Sequence, residues 1–144
     1  MTILFLCSGA GSCKSLMAKT MLESVDATHR VLSAGISPTN ELDPLAIQVM
    51  QEIGLVMNPA SLQSVSDLKD EPIDYLITLG ESTKEEFRDL PLAYKNKLHL
   101  SFGKLVKSIG RYGSQLDAYR HLRDEIKTEL DYFYYRILKE KAAN

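Results

Sequence analysis

The chain has 144 residues, 44% of them hydrophobic and 25% charged, a composition that fits a single globular domain over residues 1–144 and excludes a disordered or fibrous chain. Seventeen lysines and arginines against nineteen acidic residues leave a formal charge of −2, so no overall field recruits nucleic acid or an anionic membrane, and any anion binding must be local. No window approaches the ~18 apolar residues of a membrane span, the first apolar run lacks a basic flank and a cleavage site, and two cysteines in one loop are not a secreted disulfide framework; a soluble, unprocessed cytoplasmic protein is expected.

Residues 2–7, TILFLC, form a short continuous apolar run of the kind found in a strand buried on both faces. After a loop, Leu16, Met17, Met21, Leu22 and Val25 recur at helical spacing from Lys14 onward. The segment RVLSAG reads as a second strand, ended by Gly35. Asp43-Pro44 is a helix start, with Asp43 as N-cap and Pro44 at the first helical position. Leu45, Val49, Met50 and Ile53 make its apolar face before Gly54 stops it. DYLITLG at 74–80 is a third strand, Ser82 caps a short acidic helix, and KLHLSF at 97–102 is a fourth strand. The longest element is a final helix with Ser114 near its start and a stripe of Leu116, Tyr119, Leu122, Ile126, Leu130, Phe133 and Ile137. Strands alternating with helices predict an α/β domain in three layers, with a four-stranded parallel sheet flanked by helices.

The stretch LCSGAGSCKS, from Leu6 to Ser15, carries the chemistry. Ligands of such sheets lie beyond the carboxyl ends of the strands, and Cys7 ends the first strand where the chain turns into the first helix. Gly9 and Gly11 permit conformations in which successive N–H groups of Ser8 to Cys13 point into one concavity, and the helix N-terminus adds the positive end of its dipole. Lys14 and the hydroxyl of Ser15 strengthen that field, which favours the thiolate of Cys7. The plain alternative is that Cys7 is a small buried hydrophobe and the glycines only make a tight turn.

Those residues have a counterpart. ILFLCSG…SCKSLMA resembles the opening of the low-molecular-weight protein tyrosine phosphatases and of the thioredoxin-coupled arsenate reductases that share their fold, whose loop is C-x5-R-S. The similarity continues through SAGI at 33–36, DPLAIQVMQEIGL at 43–55, DYLITLGES at 74–82 and YRHLRDEI at 119–126, the last two closer to the arsenate reductases. The resemblance implies that fold, Cys7 as nucleophile, Lys14 in place of the loop arginine, Ser15 as support for the thiolate, and an anion cradle of Ser8, Gly9, Ala10, Gly11, Ser12 and Cys13. It also implies a Cys7–Cys13 disulfide as a redox switch or protective state, against the simpler reading of Cys13 as a residue buried on the helix. The ligand implied is phosphate, arsenate or a similar oxyanion, with a phosphorylated protein or a thiol reductant as partner and no cofactor.

Four positions depart from the family. Six residues instead of five separate Cys7 from Lys14, and the arginine is a lysine, a point charge without the bidentate fork. Gly80 stands where arsenate reductases carry a resolving cysteine, and Gly103-Lys104 stands where the family has its aspartate–proline general acid. A misplacement of ~1 Å can cost roughly 10²-fold in an attack geometry, and a missing general acid typically costs ~10²–10⁴-fold. The expectation is therefore a cysteine-dependent phosphatase-like or arsenate reductase-like protein of reduced activity, or else an inactive member that binds an anionic or phosphorylated partner.

Three further features bear on function. Residues 93–113 hold Lys95, Lys97, Lys104, Lys107 and Arg111 with no acid; by the resemblance Lys104 and Lys107 form a basic rim at the mouth of the site, although such a run is commonly only a solvated face. His29, His99 and His121 have no metal-ligand spacing, so no metal is expected. The aromatic DYFYY at 131–135 is read as packing around Phe133.

Overall fold

The computed structural model describes residues 1–7, 14–35, 42–79, 90, 92–100 and 114–139. Its centre is a parallel sheet of β1 (Thr2–Cys7), β2 (Arg30–Gly35), β3 (Leu62–Ser64), β4 (Ile73–Leu79) and β5 (Tyr94–Leu100), in the order β3-β2-β1-β4-β5. The apolar run at the start of the chain is the middle strand, paired on both edges, which is why it shows no alternation in sequence. The sheet has five strands where four were expected. The added one, LQS, has three residues, too short to give a period and without a β-branched residue to mark it. The third and fourth expected strands are β4 and β5, starting one and three residues earlier than read.

Among the described residues three helices cover one face: α1 (Lys14–Val25), α2 (Pro44–Gln51) and α3 (Gln115–Phe133). Because strand side chains alternate, Ile3, Phe5, Tyr75, Ile77 and Leu79 point to these helices and meet Leu16, Met17, Val49, Met50, Leu122, Ile126 and Phe133. Leu4, Leu6, Ala34 and Leu76 point the other way, to Val65 and Leu68 of a short 3-10 turn and to Leu90 and Leu92. The helix expected after Ser82 lies outside the described residues.

The cap expected at Asp43 forms, and Ser114, expected near the start of the last helix, proves to be its N-cap. Asp43 accepts the Leu45 N–H at 2.9 Å, and Ser114 accepts the Asp117 N–H at 3.1 Å. The same Asp43 carboxylate accepts the hydroxyl of buried Tyr119 at 2.6 Å, tying α2 to α3. Around this tie Glu52 receives Arg120 and Arg123, which further join the two helices.

Val25, expected with the apolar positions of the first helix, is 39% exposed at the last residue of α1, and two further expected core positions are displaced by one local cause each. Ile53 is 39% exposed instead of buried, because α2 closes in a Schellman-type turn: Gly54 takes φ +76°, its N–H bonds to Gln51 O, and Leu55 N–H returns to Met50 O at 3.0 Å. Leu55, not Ile53, then packs against the core. At the other end, residues Tyr134–Leu138 form a π turn. The extra residue in that turn rotates the stripe by one position, so Leu138 is fully buried and Ile137 only half-buried. Phe133 packs edge-on against Tyr75 at 5.4 Å, as the packing reading of the aromatic cluster requires, while Tyr132 and Tyr135 face outward.

The end of α1 is sensitive to acid. The Asp26 carboxylate accepts the side-chain and backbone donors of Thr28 and the hydroxyl of Tyr134, with His29 beside it, and its pKa is lowered to about 2. A carboxylate depressed in the folded state stabilises above its unfolded pKa of 3.8 and loses that contribution as pH falls through about 2. An Asp26→Asn variant should show a shallower fall of Tm between pH 4 and pH 2 than the parent, read by calorimetry; equal slopes would contradict this assignment.

Candidate functional site

Parallel pairing brings three strand ends together. Cys7, at the carboxyl end of β1, lies in register with Gly35 of β2 and Leu79 of β4, the position where open parallel sheets place ligands. Cys7 is 4% exposed and Ser15, in the first turn of α1, is fully buried. Their side chains meet, with Cys7 Sγ 3.2 Å from Ser15 Oγ. The main-chain carbonyl of Ala34 lies 3.7 Å from the same sulfur.

This arrangement has two proton states. As a thiol, Cys7 can donate its S–H to the Ala34 carbonyl; as a thiolate it repels that carbonyl and accepts the Ser15 O–H, a hydrogen bond strengthened by the charge. Ser15 is fully buried, and a buried hydroxyl without a partner costs about 1–3 kcal/mol, so the contact with Cys7 helps to satisfy it. Lys14 opens α1, half-buried, and no acidic residue occupies the helix's first turn. The positive end of that helix's dipole is therefore not offset by a carboxylate of its own turn.

The structure thus brings together Cys7, Ser15 and the start of α1 at Lys14. Ser8, Gly9, Ala10, Gly11, Ser12 and Cys13 of the expected cradle lie outside the described residues, as do Gly80, Gly103 and the expected rim residues Lys104 and Lys107. The histidines are on separate elements: His29 beside Asp26, His99 against Thr78, and His121 against Glu125. Sequence reasoning missed the Ala34 carbonyl, which reaches the sulfur only because β2 is the strand beside β1. It also missed the second duty of Asp43, whose pairing with Tyr119 joins residues 76 positions apart. Among the described residues no helix is long and apolar enough to cross a membrane.

Known proteins carry the same chain plan. An arsenate reductase of Staphylococcus aureus (strain bovine RF122 / ET3-1) is 31% identical over 137 residues, covering 92% of this chain and 95% of the relative. A protein-arginine-phosphatase of Bacillus subtilis is 26% identical over 140 residues, covering 88% and 90%. Among solved structures, an arsenate reductase in the phosphate binding state superposes with a TM-score of 0.70 at 20% identity, over 94% of this chain and 98% of that one. The sequence profile described as low molecular weight phosphotyrosine protein phosphatase matches residues 2–143, and the chain belongs to that family.

Proposed function

We propose that this protein is a cysteine-dependent, oxyanion-processing member of its family, with Cys7 as nucleophile, Ser15 as donor to its thiolate, and Lys14 with the loop amides of residues 8–13 as holders of the oxyanion. The observation that carries the reading is the 3.2 Å contact between Cys7 Sγ and Ser15 Oγ at the carboxyl end of the middle strand. A merely structural cysteine needs no buried hydroxyl beside it.

Arsenate reduction suits these residues better than ester hydrolysis. In hydrolysis the thiolate attacks phosphorus and the departing ester oxygen needs a proton, yet Gly103 and Lys104 occupy the place of the family's acid. In arsenate reduction the Cys7 thiolate attacks arsenic(V), forming an As–S bond as a protonated oxygen leaves as water. A second thiol then attacks Cys7 Sγ; an S–S bond forms, the As–S electron pair stays on arsenic, and arsenite departs. With Gly80 in the resolving position, that thiol is Cys13 or a small thiol from solution. The relationship to the S. aureus arsenate reductases supports the same choice.

The extra residue between Cys7 and Lys14 favours a second reading, a protein that binds a phosphorylated or otherwise anionic partner without turnover. Arsenite release from arsenate with dithiothreitol separates the two. Release above the no-protein blank is expected, and a Ser15→Ala variant should be slower by roughly 10–100-fold, the equivalent of a hydrogen bond to a charged group of about 1.5–3 kcal/mol. No release at any thiol concentration would leave only the binding reading, and an unchanged rate in Ser15→Ala would remove the role given to that contact.

A further inference from the structure

Two of the apolar residues left exposed meet at one place. Val25, the last residue of α1, and Ile53, in the turn that ends α2, are each 39% exposed, and both line a cleft of about 140 Å³ between the second half of α1, the turn at Leu55 and the last turns of α3. Met21, Leu22, Leu55 and Leu130 complete its apolar wall. The hydroxyls at its border are engaged within the protein: Ser24 Oγ donates to Met21 O at 2.6 Å, and Tyr134 Oη donates to Asp26 at 3.0 Å. The charges that line the cleft are those of Lys127 and Asp131, one turn apart on α3, with Nζ 3.4 Å from Oδ2 and the side chains 54% and 43% exposed.

An apolar cleft with a few polar groups at its rim is the usual form of a small-ligand site, in which the wall gives affinity and the polar groups give orientation. An engineered apolar cavity of ~150 Å³ admits benzene, so a cleft of this size takes one aliphatic or aromatic side chain and is too small for an acyl chain. The rim narrows the class further. A lone carboxylate at Lys127 meets the like charge of Asp131, and a lone amine at Asp131 meets that of Lys127. An α-amino acid carries its ammonium and carboxylate on one carbon, side by side as Lys127 and Asp131 stand, so each charge faces its opposite. An exposed pair one turn apart contributes little to the fold, which leaves it able to share its charges with a ligand. We propose that this cleft binds a free α-amino acid with an apolar side chain, the side chain against Val25, Ile53 and Leu130, the carboxylate at Lys127 and the ammonium at Asp131. The rise of α1 sets Val25 roughly 15 Å from Ser15, so the inference stands apart from the chemistry proposed at Cys7.

The test titrates the isotope-labelled protein at neutral pH with L-leucine, glycine, 4-methylpentanoate and 3-methylbutylamine, and follows the backbone amides by NMR. L-leucine is expected to shift the amides of Val25, Gly54, Leu55 and Lys127 along one saturable curve. Glycine, which lacks the side chain, and the two analogues, which lack the ammonium or the carboxylate, should each bind at least fivefold more weakly. K127Q should weaken the binding of L-leucine at least fivefold, and V25F, which fills the mouth of the cleft, should abolish the shifts, both without changing Tm. No saturable shift with L-leucine, equal binding of 4-methylpentanoate, or unchanged binding in either variant would overturn the proposal. So would shifts of these amides that follow the concentration of protein instead of L-leucine, the mark of a second copy seated on this face.

Discussion

A Cys7→Ser variant is expected to lose arsenite release by at least roughly 10³-fold, down to the blank, while keeping its fold. The loss follows from the nucleophile: a serine hydroxyl at its ordinary pKa is a poor attacking group, and removing a nucleophile that works as part of a unit costs orders of magnitude. The fold should persist because the replacement hydroxyl inherits both partners of the sulfur, the Ser15 hydroxyl and the Ala34 carbonyl, and so leaves no buried polar group unsatisfied. Arsenite measured against the parent, with Tm measured in parallel, reads both halves. A Cys7→Ser protein that keeps the parent's rate would exclude Cys7 as the nucleophile.

Phe5→Ala should destabilise the protein by about 3–5 kcal/mol, a large share of the ~5–15 kcal/mol that holds a domain of this size together. Phe5 is fully buried on the middle strand and belongs to the cluster shared by α1, α2 and α3, so its truncation leaves a cavity among packed side chains that relax only partially. Val56→Ala is the comparison: Val56 is 76% exposed, and its truncation should change stability by less than about 0.5 kcal/mol. Urea denaturation of both variants checks the contrast. A Phe5→Ala midpoint within error of the parent's would contradict the placement of the core on this face.

The elements that sequence alone revealed are those whose signal is local. β1 announces itself by five consecutive apolar residues, Ile3 to Cys7, followed in sequence by Gly9 and Gly11, α2 by Asp43-Pro44, and α3 by a stripe kept over 19 residues. What escaped depends on neighbours distant along the chain or on one inserted residue. β3 exists only because β2 offers an edge through Ser33 to Gly35, and no period can be read from three residues. The swap of Ile53 for Leu55 follows from one backbone conformation at Gly54, and the shift from Ile137 to Leu138 from a π turn whose sequence still scans as α-helix.

The site was legible in the same uneven way. Cys7 and Ser15 are eight positions apart, and the resemblance to the family paired them before the 3.2 Å contact did. The Ala34 carbonyl belongs to another strand and could be found only from the strand order. Asp43 gave a cap signal in full, yet its bond to Tyr119 carried none, because nothing local in either segment points to the other.

An oxyanion held over the sulfur of Cys7 should protect that sulfur from alkylation. The protein is treated with iodoacetamide at neutral pH, with and without inorganic phosphate, and alkylation of Cys7 is followed by mass spectrometry of its peptide. Phosphate is expected to slow the alkylation of Cys7 several-fold while leaving the labelling of the unfolded protein unchanged. Equal rates with and without phosphate in the folded protein would contradict the claim that an oxyanion occupies this site.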